Sequence, residues 1–595
     1  MQSEAKPKVG LRAAMDRRFT DAWEQKTSFE PVWQDIGSVV LPSRTRLYSS
    51  SPSQANRGDR TGNSRILDGT ATQSVEVARA GMMTGMASPS RPWHDLVVDG
   101  QMRPTLETKR WLDDARDVVL SLYDRSNFYA TAATVFGDGM VFGTAPMLQL
   151  EDHSSVVRFE SLPIGSYAIA QDDRGIVDSL FREFSMTISQ IINQFGKDNL
   201  TQSMRNAMEG GRMQTKFVVR HAIIPNADSR PGSPFVEHLP YMDVYWESGE
   251  GEGAGGYKDA TWTGVPSTVG GPGRDGILRV SGFHEAPFAV ARWDRNNDDV
   301  YATSYPGVRA LGDIKQLQQM VRDRTNAINK MVNPSLVGGP GVKGRAISLL
   351  AGAVNVDPDM TGGNTGLRPL HDVRFQVRDA AELEEQTRQR IRRFFYEDLF
   401  LMLLGDERLS PLTATETVAR ERERLSVLGP VLERHSDDFF DPTVKRTLAI
   451  AIRLSEPDWA QGEDGMLPIP PAQIEGVNLR PRYTSEVASS QKAVGLGPIE
   501  RWAQFMGGIA QFDPESLDIV DTDELGRTYH DFSGIPARLL RDKDAVMAKR
   551  AQRAEQQRQQ FMAENASGMA RAAKDLAQTD PDAAANSASK LGIGA

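Results

Sequence analysis

The nearest approach to a phosphate cradle in this 595-residue chain is Gly339-Pro340-Gly341-Val342-Lys343-Gly344. A nucleotide-driven machine needs a loop ending in Gly-Lys-Ser/Thr, so that backbone amides and the lysine meet the β- and γ-phosphates. Here Pro340 removes a donor and no hydroxyl follows Lys343, which leaves a turn. The eight histidines, at positions 94, 153, 221, 238, 284, 371, 435 and 530, never fall four apart on a helix, so the paired-His zinc motif is absent. Zero cysteines exclude thiolate zinc, iron–sulfur clusters, disulfides and thiol nucleophiles together. Gly-x-Ser-x-Gly, the serine-hydrolase elbow, is missing too. Asp437-Asp438 with Asp441, Asp172-Asp173 and Asp521 to Glu524 hold enough carboxylate for magnesium, but such runs read as solvated faces. The residues offer no catalytic, cofactor or metal site, and the expectation is a protein that is not an enzyme.

The remaining chemistry is charge. Lys+Arg 69 against Asp+Glu 79 leaves −10, so any nucleic-acid contact must be local and not a product of bulk charge. Arg388, Arg390, Arg392 and Arg393 lie beside Glu382, Glu384 and Glu385, which predicts a helix held by ion pairs to itself and its neighbours. Hydrophobic residues at 39% and charged ones at 25% fit a folded chain of three or four domains. The longest apolar run, Leu399 to Leu404, is too short to span a bilayer, and the start Met1-Gln-Ser-Glu-Ala-Lys has no apolar signal core. A soluble chain made in the cytosol, with no membrane partner, is expected.

The elements that carry these residues follow from periodicity. Leu11, Met15, Phe19, Ala22 and Trp23 recur at helical steps, and helices are predicted over 11–26, 32–41, 67–86 and 106–126. After Phe136, glycines 137, 139 and 143 break an apolar stretch, and β-rich runs follow at 156–159, 176–184, 217–224, 236–246 and 277–290. The Gly-rich stretch 247–276 reads as a surface excursion. Ile314, Leu317, Val321, Ile328 and Met331 form a heptad-like seam interrupted at Arg324, which predicts a straight packed helix ended by Asn333-Pro334. A compact β insertion follows. A second long helix starts near Asp379, with Leu383, Thr387, Ile391, Phe394, Phe395, Leu399 and Met402 as its buried face. Beyond a polar loop, Thr413 and Glu416 fit a capping box, and Gly429-Pro430 predicts a kink in the helix that they open. Further helices are predicted to about Leu454, at 485–494 and 498–511, and from Ala537 onward, the tail from Thr579 being disordered.

This order of helix, β insertion, helix, polar loop and capped helix resembles the core of bacteriophage portal proteins. Pro411-Leu-Thr-Ala-Thr-Glu416, Arg420-Glu-Arg-Glu-Arg424, Leu428-Gly-Pro-Val-Leu432 and Phe440-Asp-Pro442 are similar to the stretch that characterises head-to-tail connecting proteins of short-tailed phages. So are Pro89-Ser-Arg-Pro-Trp93, Arg482-Tyr-Thr-Ser485 and Gln491-Lys-Ala493. The resemblance implies a mainly helical α+β portal fold that closes, ordinarily as twelve copies, around a central DNA channel. Mapped by order, it implies a wing over 1–304, stem helices over 305–333 and 379–404, a clip over 334–378 and a tunnel loop over 405–412. The wing resumes with the kinked helix over 413–484, then a crown over 485–540 and a C-terminal helix and tail over 541–595.

The same resemblance implies partners: double-stranded DNA, the large terminase subunit, major capsid and scaffolding proteins, and tail adaptor or nozzle proteins, at the portal vertex of the virion. Helices packed 8–10 Å apart give twelve inner helices a circumference of roughly 110 Å and a bore of roughly 25 Å, enough for duplex DNA. Every inward base is repeated around such a ring, and a basic bore would grip phosphate. Few unpaired bases are therefore expected on it, with Lys330, Lys343, Arg345 and Arg408 as the candidates and Asp406, Glu407, Arg408 and Leu409 forming the tunnel loop. The rival readings are another virion structural protein, such as an internal ejection or tail protein, and a packaging enzyme.

Overall fold

The structure, a computed structural model, describes residues 11–45, 66–99, 104–152, 154–233, 235–248, 276–296, 299–332, 336–337, 368–369, 376–403, 428–454, 467–468, 470–474, 476–483, 486–510, 512, 519–533 and 539–579. Its helices are α1 (Leu11–Thr27), α2 (Glu30–Val39), α3 (Thr70–Met86), α4 (Leu106–Arg125), α5 (Phe128–Phe142), α6 (Ile188–Phe195), α7 (Gln202–Glu209), α8 (Pro306–Val332), α9 (Val377–Phe394), α10 (Glu397–Leu403), α11 (Asp441–Arg453), α12 (Glu486–Ala510), α13 (Thr522–Ser533) and α14 (Lys543–Thr579). A helical run over 428–435 and a π-helical turn, Ser436–Phe440, lead into α11.

Twelve short strands complete the described chain: β1 (His94–Val98), β2 (Thr144–Asp152), β3 (Val156–Ser161), β4 (Tyr167–Gln171), β5 (Val177–Thr187), β6 (Lys216–Pro225), β7 (Tyr241–Glu247), β8 (Ile277–Phe283), β9 (Phe288–Arg292), β10 (Leu336–Val337), β11 (Arg368–Pro369) and β12 (Leu479–Tyr483). The fold is α+β and mostly helical. The chain divides into two compact units, one over 1–99, 114–469 and 478–490, the other over 100–113, 470–477 and 491–595.

In the first unit an antiparallel sheet of order β4-β5-β6-β7-β8 is covered on both faces. Met15, Phe19 and Ala22 of α1 bury one face against Phe181, Ala222, Val244 and Trp246. Ile191, Phe195 and Met204, from α6 and α7, cover the other against Val219, Tyr245 and Leu278. Thr187 caps α6 in a reciprocal box with Gln190, which starts a helix directly from the end of β5. A three-stranded sheet of order β3-β2-β9 packs on α5 and on an aromatic core of Trp93, Tyr123, Phe128, Phe159, Phe439 and Phe440. β1 pairs antiparallel with β12, His94 opposite Tyr483.

Several expectations are corrected. Gly137 and Gly139 lie inside α5, whose residues 135–142 are all buried, so packing on every side overrides the weak helix propensity of glycine. Gly143 ends the helix at φ 81°. The run 277–290 is two strands in two different sheets. Pro498 lies inside the single helix α12. The second long helix is broken after Phe394, where Tyr396 takes φ 56° before α10 begins. The seam of α8 is buried at Ile314 and Leu317, yet Ile328 and Met331 are 37% and 46% exposed. Leu383 is likewise exposed, because Glu384 takes the inward position.

In the second unit, Gln473 accepts from the Thr105 amide at 3.1 Å and the Thr108 hydroxyl at 2.7 Å. Arg110 donates to the Leu540 carbonyl. Tyr529 of α13 donates to Glu500 of α12, and Arg550 of α14 pairs bidentately with Asp523 of α13 at 2.6 Å.

Candidate functional site

The antiparallel pair α8 and α9 is the feature on which the sequence-flagged charges converge. α8 is fixed at its start by a close crossing with α5, where a Cβ on Gly307 would lie 2.3 Å from the Val141 carbonyl oxygen. α8 packs against α9, with Ile314 and Leu317 buried on the first and Thr387 and Ile391 on the second, and further along the apolar seam gives way to ions. Arg324, the interruption in the heptad pattern, reaches the fully buried Glu384 at 3.1 Å. Arg388 binds the same Glu384 oxygen at 3.1 Å, Asp68 at 2.9 Å and Glu385 at 3.4 Å. Arg390 pairs with Asp313 at 3.1 Å and Arg392 with Glu385 at 3.2 Å. Of the five arginines on α9, Arg378 and Arg393 have no acidic partner among the described residues.

Asp68 ties the approach to α3 into this pair. Gln318 of α8 accepts from the Leu67 and Asp68 amides at 2.8 and 3.1 Å and donates to the Asp68 carbonyl at 2.7 Å. Burial alone would raise the Asp68 carboxyl, but hydrogen bonds from Thr70 and Arg388 together hold it below its ordinary value. Burial works against the Arg388 charge in the same way, and its three carboxylate neighbours reverse that and raise it.

The outer faces are of another kind. On α8 the exposed positions Gly312, Gln316, Gln319, Asp323, Asn326 and Lys330 recur at steps of four and three, a polar stripe opposite the seam. Gln319 donates to Asp323 at 2.9 Å along it. On α9 the matching stripe is Glu382, Gln386, Gln389 and Arg393. Helical spacing alone encodes these stripes, and charge spacing does not reveal them because half of their residues are uncharged amides. Lys330 is exposed in the last turn of α8 and, with Arg322, has no acidic partner among the described residues. Lys343, Arg345, Arg408, the loop residues Asp406, Glu407 and Leu409, and the capping pair Thr413 and Glu416 lie outside the described residues, as does most of 247–276. Gly429 and Pro430 are helical, and the segment before them, on which a kink would be judged, is also outside.

The carboxylate clusters are engaged in structure. Asp438 pairs with the buried Arg292 at 3.0 Å, while Asp441 accepts from the Tyr483 hydroxyl at 2.6 Å and from Lys445 at 3.2 Å. Asp172 accepts from the Arg174 and Ile176 amides in its turn, and Asp521 accepts from the Asp523 and Glu524 amides that open α13. Among the described residues no group of three His, Asp or Glu side chains could hold a metal ion. Burial drives His94 down to about 3 and His435 to about 4, so both are neutral core side chains. No helix among the described residues is long and apolar enough to cross a membrane.

Comparison with known proteins identifies the family. The family model described as bacteriophage head to tail connecting protein matches residues 12–269 and 267–540. The portal protein of Salmonella phage epsilon15 is 34% identical over 565 residues, 94% of each chain. A probable portal protein of Bordetella phage BPP-1 is 32% identical over 534 residues, 90% of this chain and 89% of its own. A chain from the virion of a native gene transfer agent particle superposes with a TM-score of 0.30 at 14% identity, covering 75% of this chain and 89% of its own, too loosely to bear on the fold. With the family model spanning most of the chain and full-length relatives above 30% identity, this chain belongs to the bacteriophage head-to-tail connecting protein family and is a portal protein of the phage virion.

Proposed function

We propose that copies of this chain close side by side, ordinarily as twelve, into a ring at one capsid vertex through which double-stranded DNA enters during packaging and leaves at ejection. In this reading α8 and α9 form the stem, the segment between them the clip, residues 405–412 the tunnel loop, and the wing and crown follow the boundaries given above. The large terminase subunit docks at the ring and supplies the work, scaffolding and major capsid proteins surround it, and tail adaptor proteins attach to it. The ring itself performs no catalysis.

The observation that carries the reading is the division of labour on α8 and α9. Four arginines, Arg324, Arg388, Arg390 and Arg392, are held by carboxylates. Half of the residues on the exposed stripes are amides, Gln316, Gln319, Asn326, Gln386 and Gln389, and the exposed Arg322, Lys330, Arg378 and Arg393 have no acidic partner among the described residues. Each phosphate neutralised adds about one unit to the salt dependence of DNA binding, so a ring that repeats a free cation twelvefold would hold DNA unless such cations were few. Amides hydrogen-bond phosphate transiently without displacing counterions, which suits a conduit. The test is the mass and image of the purified protein. Rings of about 790 kDa, twelve copies of a 65.6 kDa chain, with a central hole are expected. A protein that stays monomeric under all assembly conditions and is missing from phage particles would overturn the proposal.

A further inference from the structure

The chain from Phe395 to Leu404 contains no glycine and no proline, so its local sequence favours continuing the helix that α9 begins. Yet α9 stops at Phe394 and α10 starts at Glu397, with Tyr396 between them at φ 56°. A residue with a Cβ is disfavoured in this left-handed region and persists there only where surrounding contacts hold it. Packing therefore imposes the break against the preference of the local sequence.

The contacts that hold the break lie mostly on α3. Phe400 is 2% exposed and sits where a Cβ on Gly81 would overlap its side chain, so α3 admits it only because residue 81 is glycine. The fully buried Ser74 hydroxyl donates to the buried Glu397 carboxylate. Asp68, at the approach to α3, holds Arg388 of α9, so α3 and its approach grip the chain on both sides of the break. Tyr396 itself stacks on Trp293, ring centroids 6.4 Å apart.

A second seating is written into the same residues. Leu399-Phe-Leu-Met-Leu-Leu404 is apolar all round, so α10 has more than one face to bury. At 100° per residue, a helix continued through Tyr396 would place Ile391, Phe395, Leu399 and Met402 within an arc of about 80° and turn Phe400 and Glu397 to the opposite side. The observed break does the reverse, burying Phe400 and Glu397 and leaving Leu399 half-buried. We propose that 395–397 is a two-state joint, bent while α3 clamps Glu397 and Phe400, and continuous through α9 and α10, docked by Leu399 and Met402, when that clamp lets go. Each seating buries one face and an intermediate buries neither, so a small displacement of α3 switches between them. The clamp thereby sets the direction in which the chain leaves α10 toward residue 404. The joint lies within one chain and stands apart from ring closure.

The chain has no cysteine, so Glu382→Cys with Asp398→Cys, both at exposed positions, places two spin labels across the joint. Labelled chains are diluted among cysteine-free ones, and pulsed electron paramagnetic resonance then reads distances within one chain. Continuous helix from 382 to 398 spans about 24 Å, more than the bent chain does. With the clamp intact the shorter distance should dominate, and Ser74→Ala with Gly81→Ala should raise the population at about 24 Å roughly tenfold. An unchanged distribution overturns the joint, and so does loss of the shorter distance with nothing at the longer one, which is a frayed α10. A second pair of variants leaves the clamp in place. Tyr396→Ala and Tyr396→Gly both remove the Trp293 contact, but alanine favours the continuous helix and glycine the left-handed turn. The alanine variant should hold roughly tenfold more of the longer population than the glycine variant. Equal populations would show that Tyr396 is not a joint.

Discussion

Acidification from pH 6.5 to 5 should weaken the first unit by about 2 kcal/mol at each of two histidines. His94 is fully buried beside Trp93, ring centroids 4.5 Å apart, and neither ring nitrogen has a hydrogen-bond partner among the described residues. The charges that face it are Asp95, which favours the proton, and Arg116, which opposes it. His435 is as deeply buried, bonds only the Val431 carbonyl among the described residues, and feels Arg434. Burial lowers the two from 6.5 to about 3 and about 4. Above 6.5 neither state binds the proton and the contribution is constant. Below 6.5 the unfolded chain takes up a proton that the folded chain refuses, at 1.36 kcal/mol per pH unit for each site. The loss continues until pH approaches 3 for His94 and 4 for His435. Between 6.5 and 5 it reaches about 2 kcal/mol per site and about 4 for both. His221 is lowered by burial against the pull of Asp243 and adds in the same direction. The paired carboxylates, with depressed values, lose their contribution only at lower pH. Guanidinium unfolding at constant ionic strength, followed by tryptophan fluorescence, reads this directly, since Trp93 and Trp293 lie against the two imidazoles. The variants His94→Phe and His435→Phe should each flatten the slope by about 1.4 kcal/mol per pH unit across this window. Slopes that match the unmodified protein to within a few tenths would refute the claim that these imidazoles stay neutral in the fold.

Two further perturbations probe the helix pair. Glu384→Ala leaves Arg324 and Arg388 without their shared acceptor, but both guanidinium groups are partly solvated and Arg388 keeps Asp68. The cost is accordingly put at about 2 kcal/mol, below the 3–5 of a fully enclosed pair. It should appear as roughly thirtyfold faster amide exchange over 321–330, and exchange changed less than twofold would mean that the ions contribute no net stability. Gly307→Ala drives a methyl group into the Val141 carbonyl, 2.3 Å away on a buried helix, and should cost about 1–3 kcal/mol by thermal unfolding. An unchanged midpoint would show that the α5–α8 crossing can open freely.

What could be read in the sequence divides along a physical line. Helices with one apolar stripe, α1, α2, α4 and α8, announce themselves because half-burial imposes a 3.6-residue period. α5 is buried all round and has no such period, so its glycines looked like breaks. The turn at Tyr396 carries no glycine to signal its positive φ, and it was invisible for that reason. The ion pairs obey the same division. Glu384 and Arg388 are four residues apart on one helix, and their pairing follows from the helical repeat alone. The partners that fix the pair in space, Asp68 for Arg388 and Asp313 for Arg390, are 320 and 77 residues away in the chain. No local spacing encodes them, and they exist only because the apolar seam has already brought α8, α9 and the approach to α3 together. The seam therefore comes first and the charges second. Arg324 interrupts the seam at the point where the pair stops being buried, which lets one side chain end the apolar contact and begin the ionic one without leaving a cation stranded in the core.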